Sequence, residues 1–448
     1  MLTSRVLQAA RCSSALVARV KSTVKVPKGV QQHATRPRAE CLRSFATSTS
    51  RFGEAKVSTP FSTPPSEVTD ARMTLKTVAV FFGDESTSAY PHVWLRENCQ
   101  CQECFNQDAI ARLFLLEDLD LDMRPKTVHV EDGCLKVEWE DGHVGVFSGP
   151  WLHQRAFTQE ARAKHRSQYM LSRVRWGPGF QVPLVDFQSA MEDDRVLLDW
   201  LSLLERFGVV LITNAPGKVG AINDFINNIG FVKPTHYGTD YELVTHVTPN
   251  NLAYTGSKLG LHTDLPYYEY PPGTTWLHCL RQHEGKGGDN DLADGLNAAD
   301  VLKERHPDLF QVLVDTPVYF QDKGYHLYDF DKITRVPVIM LDERGHVRRI
   351  NMSSQSRDPI MDLDTDGVLQ FYKALKTFNS ILMELSISVK TKPGDILVLD
   401  NSRVLHGRQA FEPDFSSGPR HIHNAYIDWD ELRSKRRVLQ RKFNVDLA

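Results

Sequence analysis

The chain predicts a mainly β fold with flanking helices, a jelly-roll or related antiparallel barrel preceded by a smaller β-rich domain. Three observations predict it. Runs of alternating polar and apolar residues dominate from Thr74 to Ser148. Many short strand candidates punctuated by Pro and Gly follow later, and a single long helical stripe interrupts them. With 448 residues, the chain has room for a large unit and a smaller companion.

The first residues differ in kind from the rest. Up to Arg51 there are ten basic residues against one acid, Glu40, and Ser, Thr and Ala fill much of the remainder. This is the make-up of a mitochondrial transit peptide, and "RSFATSTS" suits processing. Such a composition buries too little apolar area to fold. Residues 1–70 are therefore expected to be a targeting segment for the mitochondrial matrix. The alternative is a disordered basic arm on a cytoplasmic protein.

Residues 74–155 form the expected N-terminal domain. "LKTVAVFF" and "TVHVEDGCLKVEWEDGHVGVF" alternate in strand fashion, and "EDGC" and "EDGH" supply turns. Three of the seven cysteines, Cys99, Cys101 and Cys104, cluster in "ENCQCQEC". With His143 on a turn they make three thiolates and one imidazole, a closed tetrahedral zinc set that holds structure and does no catalysis. "RAFTQEARAKHRSQYMLSRVRW" is helix-permissive and carries the chain across to the second unit.

That unit, residues 180–440, opens with "DRVLLDWLSLLERFGVVLITN", a helix stopped at Gly208 before a buried strand. "TTWLHCL", "VRRINM" and "GDILVLDN" are further strands. Val368, Phe371, Leu375, Phe378, Leu382 and Leu385 recur at steps of three and four, so one stripe of a long helix faces a core, expected to be the outside of a sheet. A formal net charge of -3 provides no field for nucleic acid, and no apolar run reaches the length of a membrane span. Neither a phosphate-cradling Gly-rich loop nor a G-x-S-x-G elbow is present. Chemistry on a small molecule is the remaining default.

In an extended segment residues two apart share a face, so His262 and Asp264 of "GLHTDLP" can converge on one ion while Thr263 turns away. A third ligand is available at His406, just past the strand in "DILVLDNSRVLHGRQ". Two histidines and one carboxylate leave open positions on a metal, as in non-haem Fe(II) oxygenases. Arg420 in "PRHIHNAYIDWD" stands where a guanidinium fork could grip a carboxylate.

The blocks "AYTGSKLGLHTDLP", "PPGTTWLHCLRQ", "GGDNDLADG", "LDNSRVLHGRQ" and "RHIHNAYIDWD" resemble the γ-butyrobetaine dioxygenase family, in the same order from about Leu75 to Leu432. The resemblance implies a double-stranded β-helix oxygenase domain behind a zinc domain. It implies iron on His262, Asp264 and His406, and 2-oxoglutarate as co-substrate on Arg420, with Asn251 and Asn290 as further pocket candidates. The same three cysteines and one histidine hold zinc in that family, whereas the related trimethyllysine dioxygenases lack the full set. Tyr237, Tyr241, Tyr254 and Tyr426 match an aromatic cage for a trimethylammonium group, Tyr241 standing where tryptophan is common. Two departures are Ser353 and Ser354, in place of an asparagine pair that helps to read the substrate carboxylate, and a longer loop between His406 and Arg420. The function implied is conversion of γ-butyrobetaine, 2-oxoglutarate and O2 to L-carnitine, succinate and CO2, with ascorbate as a candidate reductant and a homodimer as the assembly. Trimethyllysine hydroxylation is the alternative within the same pathway. From a different class comes a non-catalytic jelly-roll that binds methylated ligands.

Overall fold

Strand Ile396–Asp400 shows how an apolar run becomes the middle of a layered fold. Ile396 and Val398 pack with Leu197, Trp200 and Leu204 of helix Asp194–Phe207, while Leu397 and Leu399 pack on the opposite side with Leu292 and Val404. Its neighbour Val209–Thr213 does the same, with Val210 and Ile212 toward the helices and Val209 and Leu211 inward. The two-residue period of a strand, applied to a sheet covered on both faces, requires apolar residues at every position.

The protein is described by a computed structural model covering residues 65–245, 255–413 and 418–445, all within the unit Thr63–Ala448. Its larger sheet has six strands in the order Asp240–Val244, His421–Ile427, Thr274–Arg281, Ile396–Asp400, Val209–Thr213, Leu184–Asp186, with the last pair parallel and the others antiparallel. A four-stranded antiparallel sheet, Leu259–His262, Val404–Arg408, Asn290–Asp294, Ile387–Val389, lies across the shared core. Helices Gly295–Arg305, Pro307–Asp315 and Thr365–Glu384 cover its outer face, where they meet Leu261, Ala293 and Leu405. The expected stripe of the long helix is seen in the buried Phe371, Phe378 and Leu382.

Beyond Gly208 the sequence predicts one long helix, and the structure adds others, among them Gly295–Arg305 and Pro307–Asp315. Trp429–Phe443 is a further helix of 15 residues, whose many charges mask a narrow buried stripe of Leu432, Arg436 and Leu439. Helix Asp194–Phe207 ends at Gly208 as expected, with φ of 75°. A Cβ there would lie 2.9 Å from Cδ of Arg403, so the left-handed turn and the close packing both require glycine. Arg403 is itself fully buried: its Nε and Nη2 donate to the two carboxylate oxygens of Asp294 at 3.0 and 2.7 Å, and its Nη1 donates to the Arg206 carbonyl at 2.8 Å. The same Asp294 caps helix Gly295–Arg305, so one ion pair ties that helix to the chain beside Gly208.

Two three-stranded sheets, Val68–Met73 with Thr77–Phe82 and Thr87–Pro91, and Pro125–Glu131 with Cys134–Trp139 and Val144–Ser148, share a separate core of Val78, Val80, Leu135, Val137, Trp139 and Phe147. Among the described residues the first strand is Val68–Met73, which completes the first sheet against Thr77–Phe82. Helix Gln159–Tyr169 lies in the crossing segment, as its composition predicts. No helix among the described residues is long and apolar enough to cross a membrane.

Candidate active site

In strand Val404–Arg408 the side chains alternate: Leu405 packs outward under the helices, while Val404, His406 and Arg408 point between the sheets. The partner strand Leu259–His262 carries a bulge. Leu259 pairs with Arg408 and His262 with His406, three steps against two. Regular pairing from Leu259 would set Leu261 opposite His406; the extra residue brings His262 there instead, with ring centroids 4.3 Å apart.

Asp264 follows at the strand's end. Thr263 between them turns away, its backbone N–H donating to the Met352 carbonyl at 2.7 Å. The Asn401 side chain grips the Asp264 backbone, accepting from its N–H at 2.7 Å and donating to its carbonyl at 2.9 Å. Leu265, just beyond, has φ of 52°, a left-handed conformation that surrounding bonds must hold in place.

The carboxylate of Asp264 is divided by its neighbours. Oδ2 accepts from the Thr275 hydroxyl at 3.0 Å and from the Tyr426 hydroxyl at 3.1 Å. Oδ1 is left facing Nε2 of His262 at 3.4 Å and Nε2 of His406 at 3.6 Å. Atoms so spaced can all lie about 2.1 Å from one ion. Nδ1 of His262 is bonded to the Gly260 carbonyl at 2.9 Å, which places its proton there and leaves Nε2 aimed at the carboxylate. A lone pair against an anion needs a cation between them. Without metal a proton serves: burial pulls the His262 pKa down, but the Asp264 hydrogen bond and charge raise it overall. Burial, followed by the nearby His262, lowers His406 to about 4, which keeps it a neutral ligand. Asp264 stays ionised, because the two imidazoles and Thr275 outweigh the upward push of burial. The donor set fits Fe(II).

The same cavity is lined by Arg420, Asn290, Tyr237, Tyr241 and Tyr426, so these expected residues do meet around His262, Asp264 and His406. Asn251 and Tyr254 lie outside the described residues. Buried Arg420 donates from Nε to Gln282 Oε1 at 3.2 Å, and among the described residues no carboxylate pairs with it. Burial lowers its pKa to about 10, leaving a cation that suits the far carboxylate of 2-oxoglutarate. Asn290 donates to the Val389 carbonyl at 3.2 Å, a bond between adjacent strands. Ser353 is buried and lines the cavity, whereas Ser354 is exposed.

Tyr237 and Tyr241 stack with centroids 4.4 Å apart at 26°. Tyr241 reaches Tyr426 through hydroxyls 2.8 Å apart and receives a hydrogen bond from Asn424 Nδ2 at 3.0 Å. Since Tyr426 donates to Asp264, proton order along the chain is fixed: Asn424 donates to Tyr241, Tyr241 to Tyr426, Tyr426 to the carboxylate. Sequence reasoning missed Thr275, Asn401, Asn424, Arg408, Tyr267 and Asp322. Arg408 was legible as the residue two beyond His406 on the same strand face; Asn401, Asn424 and Asp322 lie far along the chain from Asp264, and Thr275 and Tyr267, though near it in sequence, carry no pattern that marks a site.

In the N-terminal unit, Sγ of Cys99, Cys101 and Cys104 lie 3.2, 3.7 and 3.6 Å from Nε2 of His143. A tetrahedral zinc ion implies an S···N edge of about 3.6 Å. Burial pushes the Cys99 thiol up to about 12, so a cation is needed to hold it as thiolate. Arg96 donates to Cys104 Sγ at 3.6 Å and to Asp141 Oδ2 at 3.2 Å, while Asp141 Oδ1 accepts from the His143 N–H at 2.9 Å, which ties the two ligand loops together. These two groups are the candidate metal clusters among the described residues.

Residues 173–426 match the model of the taurine catabolism dioxygenase TauD, TfdA family, and residues 70–153 match the gamma-butyrobetaine hydroxylase-like N-terminal model. The fold and site thus define an Fe(II)- and 2-oxoglutarate-dependent dioxygenase. Gamma-butyrobetaine dioxygenase of Homo sapiens is 37% identical over 366 residues, 81% of this chain and 94% of that protein; the protein of the same name from Pseudomonas sp. (strain AK-1) is 33% identical, with 81% and 94% covered. The mitochondrial trimethyllysine dioxygenase of Mus musculus is 29% identical, with 78% and 82% covered. The chain belongs to the gamma-butyrobetaine dioxygenase family.

Proposed function

We propose that the protein hydroxylates γ-butyrobetaine to L-carnitine, with 2-oxoglutarate and O2 consumed and succinate and CO2 released. The observation that carries this reading is the tyrosine cluster of Tyr237, Tyr241 and Tyr426, hydrogen-bonded directly to a metal-ligand carboxylate. A quaternary ammonium has no hydrogen to donate and is drawn to ring faces, at about 0.5–2 kcal/mol per ring. Held there, it fixes which C–H approaches the metal. Tyr254 completes the cage in this reading, and Asn251 joins Asn290 in the pocket.

His262, Asp264 and His406 would hold iron, which with 2-oxoglutarate and O2 supplies the oxidising chemistry. Arg420 would anchor the far carboxylate of 2-oxoglutarate, with ascorbate as the candidate reductant. Thr275 and Tyr426 occupy Oδ2 of Asp264, which leaves Oδ1 to the side facing both imidazoles, where a metal would be held. Cys99, Cys101, Cys104 and His143 would hold a structural zinc in a domain of residues 74–155, ahead of an oxygenase domain of residues 180–440. Residues 1–70 serve as the mitochondrial address, which the name of the mouse relative supports, and the enzyme works as a homodimer.

Trimethyllysine is the second reading, favoured by one feature: Ser353 in the cavity is shorter than the asparagine expected there and leaves room for a longer substrate. Succinate release with each amine, with and without Fe(II), tests both. Turnover of γ-butyrobetaine carries the proposal; turnover of trimethyllysine alone overturns it.

A further inference from the structure

The cavity contains a carboxylate that none of this chemistry uses. Asp322 belongs to strand Pro317–Tyr325, whose hairpin partner is Asp329–Pro337, and its side chain lines the cavity with Tyr237, Tyr241 and Tyr267. The Tyr267 hydroxyl faces both Asp322 and Tyr237. Tyrosines therefore run in sequence from one carboxylate to another: Asp264, Tyr426, Tyr241, Tyr237, Tyr267, Asp322.

Among the described residues no cationic side chain pairs with this acid. Among the described residues no lysine or arginine lies within 4 Å of it. Lys332, directly opposite in the hairpin register, instead sends its ammonium over the Tyr268 ring, 4.7 Å from the centroid. The nearest basic group is His236, with Nε2 at 3.9 Å from Oδ2. His236 is neutral, since burial lowers its pKa to about 4. The Tyr268 hydroxyl accepts from the His236 backbone N–H at 2.9 Å and lies 2.8 Å from Nδ1, while Nε2, on the Asp322 side of the ring, makes no hydrogen bond among the described residues. Burial and then the charges of Tyr237 and Asp322 raise the Tyr267 phenol, which keeps its proton as well. Asp322 therefore faces a neutral imidazole and a protonated phenol on the cavity wall.

We propose that Asp322 is the formal counter-charge of the cationic substrate head, the tyrosines supplying the walls and this carboxylate the long-range attraction. The inference rests on the trimethylammonium reading above and deepens it. Ring faces accept any soft, rounded group, a tert-butyl group included; a carboxylate at their edge distinguishes the charged head from its neutral shape. Asp322 is about one-third exposed, so its attraction is partly screened and worth a modest factor.

The test compares γ-butyrobetaine with the tert-butyl isostere in which carbon replaces the quaternary nitrogen. Asp322→Asn is expected to raise KM for γ-butyrobetaine about 10-fold, leave kcat and KM for 2-oxoglutarate nearly unchanged, and leave binding of the isostere unaltered. Asp322→Glu, which keeps the charge, should recover most of the loss. An equal effect on both ligands, or no effect on either, overturns the inference while the proposed reaction stands. If the wild-type protein neither binds nor turns over any trimethylammonium acid, the reading beneath it falls first.

Discussion

Replacing Thr275 by valine tests whether the orientation of Asp264 sets the affinity of the metal site. Thr275 is fully buried, and valine preserves its shape while removing only the hydroxyl that donates to Asp264 Oδ2 at 3.0 Å. A buried hydrogen bond to a charged group contributes about 1.5–3 kcal/mol. Tyr426 still donates to the same oxygen at 3.1 Å, so the lower end of that range applies. About 1.5–2 kcal/mol corresponds to Fe(II) binding roughly 10- to 30-fold weaker, in line with the effect of removing a group that orients a metal ligand. Anaerobic Fe(II) titration against a competing chelator reads this directly, and an unchanged melting temperature shows that the fold survives. Should Thr275→Val bind Fe(II) as tightly as wild type while Asp264→Ala loses it, the hydroxyl does not orient the carboxylate and the reasoning fails.

Asp264→Ala and His406→Ala should each abolish measurable Fe(II) uptake in folded protein, checked by the same titration. Fe(II) affinity should rise as pH rises through the raised pKa of His262 and then level off, because the metal displaces the proton held between that imidazole and Asp264; a flat profile in calorimetry would count against this. Cys104→Ser should lower the bound zinc measured by elemental analysis and loosen residues 68–148 to hydrogen exchange, leaving the core around Leu397 protected. Arg403→Met strands Asp294 as an unpaired buried charge and should cost about 3–5 kcal/mol in urea denaturation.

The site was readable because its ligands are chemically unusual. An H-x-D pair at a strand end means little alone, but with a histidine after an apolar strand and the family blocks in order around them it marks a candidate metal centre, and the cysteine cluster with His143 marks another. Gly208 and the stripe through Phe371 and Phe378 were equally legible, since turn geometry and helix period act over a few residues. Helix Trp429–Phe443 was not, because its buried stripe is narrow and nine of its 15 residues are charged or amide.

By itself the amino-acid order determined which side chains could ligate a metal and which faces of strands and helices had to be buried, for these depend on local period and chemical type. Only the tertiary structure decided that a bulge sets His262 opposite His406, that Thr275 and Tyr426 divide the Asp264 carboxylate, and that Asp322 closes a line of tyrosines. Those relations join residues more than a hundred positions apart in several cases, through strand register and sheet packing. Register is a property of two segments at once, and neither segment encodes it alone.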